Sequence, residues 1–544
     1  MSRSGTVGIP DRKVWWHRSQ TVQTIGVGVT CVALVTVAYA TRDSSLAGSP
    51  VHTDDAWVLL GWKAHDWSDV QHAGSSSLGF VLLLRAWLGL VGFTHLHAQW
   101  LPLTASLLGA PSFLLVALRM RIRYSAALLG AALLLGSPVL VSYATRVKQY
   151  SFEVLLAILL IGLAAAVLRD PMARRPWIAF SIGSVISLVV SFALVGIVVA
   201  GFGAALVAAW RKGGFDRLRR SAGPICAIAV ALFIGSWFLT IIRPTRSTAL
   251  HDFWSGFYLS EPVGTPPAPP WWHWTDTSHH GLLAHDWKLV QFLFDGAFSG
   301  PTIVLIIAFV VASVIVAIRR PFHALLFGVP VLFAVGGSLV QLSPFGGGRT
   351  DAWLYAPMTF MIVSAVDIVV RRVTDGRRSD ARKSGESKRA GLALDGSVIL
   401  IALFCFANIP AATAFAWPDV TPLITTLEAS RTRHDLVVVG TAFTFTYALY
   451  APQPVATTVS DRNATHFTPV VQRVNVMNWQ DYAAPVAELD QRLAHVHDVW
   501  LLDAPNIAYP IGEAPRRALA SKGFHLVSQS RSTGGVLERW RFGP

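Results

Sequence analysis

The sequence predicts a polytopic α-helical membrane protein of about eleven transmembrane helices, N-terminus in and C-terminus out. Juxtamembrane helices are expected in its first outer loop, and a small extracytoplasmic α/β domain at its C-terminal end. Three observations predict this class. Of 544 residues, 53% are hydrophobic and only 14% charged, with a mean hydropathy of +0.49. That is too few charges for a soluble surface and too many long apolar runs for one globular core. The apolar runs recur near the roughly 20 residues that a helix needs to cross a hydrocarbon layer of about 30 Å. Finally, the basic residues behind the net charge of +14 stand in short clusters between those runs, as orientation signals do, so nucleic acid is not the partner they imply.

Taken in order, residues 1–20 carry Arg3, Arg12, Lys13 and Arg18. An apolar run follows with no small-residue cleavage site close behind it, which predicts an uncleaved first span. Spans are expected near 21–41, 98–118, 124–143, 152–168, 176–191, 194–210, 222–242, 301–318, 323–341, 352–370 and 396–416. The segment Ser77–Phe93 is apolar but short, and Arg85 near its middle is costly in lipid. Charge decides its place. If it lies in the interface, 25 of the 45 Lys and Arg residues fall on the inner side, including Arg119/Arg121/Arg123, Arg211–Arg220 and Arg371–Arg389, and nine fall in outer loops. If it crossed, most clusters would face outward, against the positive-inside bias. Outer elements are then 42–97, 146–151, 243–300, 343–351 and the tail.

The basic stretch 371–391 (RRVTDGRRSDARKSGESKRAG) is expected to be a disordered cytoplasmic linker. Residues 417–544 read as an α/β layer: LVVVG at 436–440, VATTV at 455–459, VWLLDA at 499–504 and a last strand near 536–542 alternate with helices at 480–496 and 513–522. No GxGxxG or P-loop follows these strands, which removes support for a nucleotide site. Asn463-Ala464-Thr465 is formally a glycosylation sequon. Cys31, Cys226 and Cys405 all fall inside apolar runs, as packing residues do. No internal repeat is evident.

The polar clusters expected outside carry the chemistry. HTDDAWVLLGWKAHDW at 52–67 places Asp54 and Asp55 before a helix with Ala56, Leu59, Leu60 and Lys63 on one face, and Trp57, Trp62 and Trp67 suit a water–lipid boundary. The expected structure is an amphipathic helix lying on the membrane. The tryptophans are explained by anchoring; the acids gain nothing from lipid and point to catalysis. In ATRVKQYSFE at 144–153, Arg146 and Lys148 lie outside despite the charge bias, and a lipid phosphate is the simplest ligand for them, with Glu153 placed to orient one. In SPFGGGRTDAW at 343–353, three glycines free the backbone for close approach to a ligand before Arg349. The long outer loop holds SEPVGTPPAPPWWHW, His279, His280, His285 and Asp286. Without HExxH or closely spaced cysteines, a metal site has no support there, although a divalent ion stays open; an interfacial lid fits the proline and tryptophan density better.

These residues resemble, in order, the GT-C superfamily of integral membrane glycosyltransferases, in particular the branch of protein mannosyltransferases and bacterial aminoarabinose transferases. TDDAW at 53–57 stands where the family keeps an acidic pair. LGFVLLLRAWLGLVGFTHLHAQWLPLTASLLGA at 78–110 looks like its juxtamembrane helix running into the second span. GSPVLVSYATRVKQYSFEVLLAILL at 136–160 and GGGRTDAWLYAPM at 346–358 are similar to its basic-Tyr loop and its late Arg loop. Departures are Asp-Asp where relatives often have Asp-Glu, and Lys148 where Arg is frequent; they bear on the substrate more than on the class. The resemblance implies transfer of a sugar from a polyprenyl-phosphate donor to a glycan, lipid or protein acceptor at the outer face of a bacterial plasma membrane, usually with inversion and with no organic cofactor. It makes Asp54 the base and Asp55 its orienting partner. Arg146, Lys148 and Arg349 would hold the phosphate, and Tyr150 would line the cleft. A lipid-linked glycan exporter, or a polysaccharide polymerase or ligase, is the alternative; an exporter would want ionisable groups within its spans, and the expected spans hold Lys and Arg only at their ends.

Overall fold

The computed structural model describes residues 12–46, 53–63, 76–243, 254–259, 282–346, 348–376, 384–410, 419–440, 443–450, 457–459, 469–471, 476–479, 485–503, 511–532 and 535–543. The chain is a helical bundle followed by an α/β unit. Each expected span falls on a helix: α1 (Arg12–Arg42), α4 (His95–Arg119), α5 (Tyr124–Leu135), α7 (Tyr150–Arg169), α8 (Arg174–Val190), α9 (Val195–Arg220), α10 (Gly223–Trp237), α12 (Thr302–Arg319), α13 (Pro321–Leu339), α14 (Ala352–Gly376) and α15 (Ser384–Ala407). Among the described residues, eight helices are long and apolar enough to cross a membrane. The protein is thus a multi-pass membrane protein.

The difference from eleven has identifiable causes. The run expected at 124–143 breaks after the 12 residues of α5, because Pro138 opens a separate short helix α6 (Pro138–Ser142), whose N-cap Ser137 accepts from the Leu140 backbone N–H at 3.4 Å. Helix α8 stops at 17 residues, and only Leu392–Ala407 of α15 forms an apolar helix of described residues. The expected linker 371–391 is also revised: α14 runs to Gly376 and α15 already begins at Ser384, leaving 377–383 outside the described residues.

Helices α4, α7, α9 and α14 form the buried centre, whereas α10 and α12 bury only 6% and 11% of their apolar windows and present the rest outward, as lipid-facing helices do. One end of the bundle is tied by charge. Asp367 of α14 is fully buried and accepts from Arg320 Nη2 (2.6 Å), Arg371 Nε (3.0 Å) and the Arg123 backbone N–H (3.0 Å), while Asp395 takes Arg123 Nη1 (3.1 Å) and the Ser125 hydroxyl (2.7 Å).

In the C-terminal unit a five-stranded sheet runs in the order β4 (Val476–Trp479), β1 (Leu436–Gly440), β5 (Asp498–Asp503), β7 (Val536–Phe542), β6 (Phe524–Arg531); β1 is parallel to β4 and β5, and β7 is antiparallel to β5 and β6. Helix α16 (Thr421–Ser430) covers one face; α18 (Pro485–Arg492) and α19 (Ala514–Ser521) cover the other. The strand expected at 455–459 leaves this sheet, since β2 (Thr457–Val459) pairs only with β3 (Pro469–Val471). β6 was not expected: only Phe524 of its eight residues is buried, so it shows no apolar run. The sequon at 463–465 lies outside the described residues.

Candidate active site

The acids sit in the first turn of α2 (Thr53–Lys63), where negative charge is favoured by the helix N-terminus. This helix, expected on the membrane surface, packs within the protein. Ala56, Val58, Leu59 and Leu60 are buried in a core shared with α3 (Leu78–Val91) and α17 (Thr444–Tyr450) of the C-terminal unit. Trp57 stacks on Phe445 with centroids 5.0 Å apart, and Trp62 on Phe93 at 4.7 Å, so these tryptophans serve packing within the protein. Arg85, costly in lipid, donates to the carbonyls of Gly61 (2.7 Å) and Trp62 (3.3 Å), closing the C-terminal end of α2.

Opposite the acids, the turn between α6 and α7 brings Arg146 and Lys148 into the interior, only 8% and 2% exposed. Arg146 Nε binds Asp55 Oδ2 at 2.8 Å and its guanidinium lies 5.8 Å from the Tyr143 ring. Burial disfavours the charge on Arg146, but Asp55, Tyr143 and Asp54 together hold it above the ordinary arginine range. Burial pushes the Lys148 ammonium down to about 8, with Asp54 and Asp55 opposing and Arg349 and Arg146 reinforcing the fall. From the late loop, Arg349 Nη1 reaches Asp54 Oδ2 at 2.7 Å and lies 5.6 Å from the Trp254 ring. Asp54 keeps 27% of its side chain exposed, against 3% for Asp55, so Asp54 is the more accessible of the two acids.

Six of the seven candidate residues therefore converge: Asp54, Asp55, Arg146, Lys148, Tyr150 and Arg349. Tyr150 packs edge-on against Tyr143 at 5.6 Å. The seventh, Glu153, expected to orient Arg146 or Lys148, accepts from the Ser191 hydroxyl at 2.7 Å. Two of the glycines before Arg349 are set by the protein around them. Gly346, at φ +71°, approaches protein: a Cβ there would meet the Leu289 carbonyl oxygen of α11 (Leu282–Ala297) at 2.3 Å. Gly348, at φ +64°, has its carbonyl fixed by the Tyr355 hydroxyl at 2.9 Å. Both aim Arg349 by fixing the turn.

Sequence reasoning passed over Tyr143, Trp254 and Ser191. Tyr143 sits three residues before Arg146 and could have been found by that spacing; the other two stand in segments with no pattern of their own. In the long loop, His285 is buried with Nε2 3.3 Å from the Tyr258 carbonyl, whereas His279 and His280 lie outside the described residues. Among the described residues no three His, Cys, Asp or Glu side chains gather as a metal site would require.

The fold, a helical bundle followed by an α/β unit, is shared with solved structures. No family model and no curated protein sequence matches the chain. Among solved structures it is similar to ArnT from Cupriavidus metallidurans in the apo state, with a TM-score of 0.57 at 14% identity over 95% of this chain and 98% of that one. The same protein bound to undecaprenyl phosphate gives 0.57 at 13% over 94% and 98%. The archaeal oligosaccharyltransferase AglB from Archaeoglobus fulgidus, in complex with an inhibitory peptide and a dolichol-phosphate, gives 0.51 at 11% over 95% and 74%.

Proposed function

We propose that this protein is a membrane glycosyltransferase that moves a sugar from a polyprenyl-phosphate donor to an acceptor at the extracytoplasmic face of a bacterial plasma membrane. The observation that carries the reading is the pair of ion pairs Asp54–Arg349 and Asp55–Arg146, with the buried Lys148 within the field of all four charges, gathered at one end of the bundle. The face follows from charge: the Arg-rich clusters, including Arg123, Arg320 and Arg371, lie at the other end. Support for the donor class comes from the fold likeness to ArnT bound to undecaprenyl phosphate and AglB bound to a dolichol-phosphate.

In this reading Arg349 turns from Asp54 to the donor phosphate, for which its planar fork is suited. Asp54, released, accepts the proton of the acceptor hydroxyl. The acceptor oxygen bonds to the anomeric carbon from the face opposite the phosphate, the carbon–oxygen bond to phosphate breaks, and the polyprenyl phosphate departs with the electron pair. Inversion results. Arg146, Lys148 and Arg349 stabilise the negative charge that grows on the leaving phosphate, in a site from which water is largely excluded. Asp55, held by Arg146, keeps that cation in place.

The test is incubation of the purified protein with a panel of polyprenyl-phosphate sugars and acceptors, with the products analysed by mass spectrometry. Release of free polyprenyl phosphate together with a glycosylated acceptor is expected. Vectorial movement of intact lipid-linked glycan in proteoliposomes, without bond cleavage, would replace the reading with export.

A further inference from the structure

We infer that the C-terminal α/β domain is a working part of the reaction centre: its helix α17 holds α2 in the pose that presents Asp54, with Phe445 and the Leu449 carbonyl as positioning groups. The inference rests on the reading of Asp54 as the base. It starts from what fixes α2 in the resting protein. At the N-terminal end, Asp54 and Asp55 are pinned by Arg349 and Arg146. A bound phosphate draws Arg349 away from Asp54, so the restraint on the base itself loosens when that acid must be in place. The restraints that a donor leaves untouched lie further along the helix.

Three of them come from α17. Trp57 stacks nearly parallel on Phe445, at 17° and 5.0 Å. Trp57 stands three positions after Asp54, on the same side of the helix, so a tilt there displaces the carboxylate. Lys63, in the last turn of α2, donates its ammonium to the Leu449 carbonyl. Between these two points, Ala56, Leu59 and Leu60 share one core with Tyr447, Ala448 and Leu449. Helix α17 is itself anchored to the sheet: the Tyr447 hydroxyl meets Glu428 of α16 at 2.6 Å, and the Thr444 hydroxyl donates to the carbonyl of Gly440 at the end of β1 at 3.3 Å. The orientation of the sheet is thereby transmitted to the acid. Arg85 holds the far end of α2 from α3, through the Gly61 and Trp62 carbonyls.

The experiment compares full-length variants in the transfer assay, with monodispersity and thermal unfolding as controls. Phe445→Ala is expected to lower kcat by about 10- to 100-fold, since misplacement by about 1 Å costs on that scale, and to leave the donor KM within about twofold. Phe445→Trp, which keeps a ring for Trp57 to stack on, restores most of the rate. Trp57→Leu removes the same stack from the other side and gives the same kcat loss. Phe524→Ala opens the opposite face of the domain, away from α17, and leaves kcat unchanged. Asp54→Asn separates the two claims. If Asp54→Asn turns over normally, the reading of the base fails. If it is inactive while Phe445→Ala and Trp57→Leu turn over like the parent protein, or if Phe524→Ala lowers kcat equally, the positioning inference is overturned.

Discussion

Both ends of the bundle bury arginine–aspartate clusters, and they differ in how completely the groups are satisfied. At the Asp367 end, one carboxylate accepts four hydrogen bonds from Arg320, Arg371 and the Arg123 backbone, filling both oxygens. At the Asp54 end Arg349 binds Asp54 and Arg146 binds Asp55, and among the described residues Asp55 Oδ1, Arg146 Nη2 and Arg349 Nε are buried with no hydrogen-bond partner, whereas at the Asp367 end the carboxylate is filled and Arg320 Nη1 is left over. A filled carboxylate ties helices together; one with an open oxygen retains an acceptor for a ligand, and buried polar atoms without partners are expensive unless function keeps them. The difference teaches that charge and burial alone do not mark a site, whereas unused hydrogen-bonding capacity does.

The comparison breaks most sharply at the acids. Asp54→Asn is expected to lower turnover by about 10³-fold, within the roughly 10²- to 10⁴-fold range of general-base loss, with a smaller loss of stability than at Asp367 because Asp54 is 27% exposed; a fully active variant would end the catalytic account of this end. Asp367→Asn should do the converse. Thermal unfolding in detergent is expected to show a loss of about 2–3 kcal/mol, below the roughly 3–5 of a fully buried pair because Arg320 and Arg371 are 23% and 41% exposed, while the donor KM stays the same. A shift in KM with intact stability would erase the distinction between the two ends. The smallest effect sharpens it. Because burial sets the Lys148 ammonium near 8 and phosphate binds the protonated form, kcat/KM for the donor should be flat below about pH 7 and fall as pH rises through 8. The expected decrease is roughly three- to tenfold by pH 9. Lys148→Arg should flatten that limb; an unchanged profile would assign the titration to another group.

Much of this was legible in the chain. A membrane demands apolar runs of set length, so the helices that carry the bundle could be placed within a few residues, and the positive clusters divided its two ends. The polar motifs also announced themselves, because Asp54, Arg146 and Arg349 are charges in places where composition offers no other use for them. Their pairing was hidden: Asp54 and Arg349 are 295 residues apart, and no local period encodes that contact. The same limit hid the partners of Trp57 and Trp62, whose amphipathic spacing suits a lipid surface as well as a protein one, and the Ser191 hydroxyl that takes Glu153. In the C-terminal unit the buried strands β1 and β5 were read from continuous apolar runs, while β6 escaped because an edge strand needs little burial. The break at Ser137-Pro138 did carry a signal, since proline at a helix start after a capping serine is an N-terminus pattern.

That break sets the depth of the chemistry. Twelve residues of α5 rise about 18 Å, well short of a hydrocarbon layer of about 30 Å. Irregular backbone at such depth is tolerated only where protein surrounds it. The turn after α6 meets that condition, with Thr145, Arg146, Val147 and Lys148 all buried. If the proposed donor reaches that turn, its phosphate meets protein in place of bulk solvent, and hydrolysis competes poorly with transfer to the intended recipient.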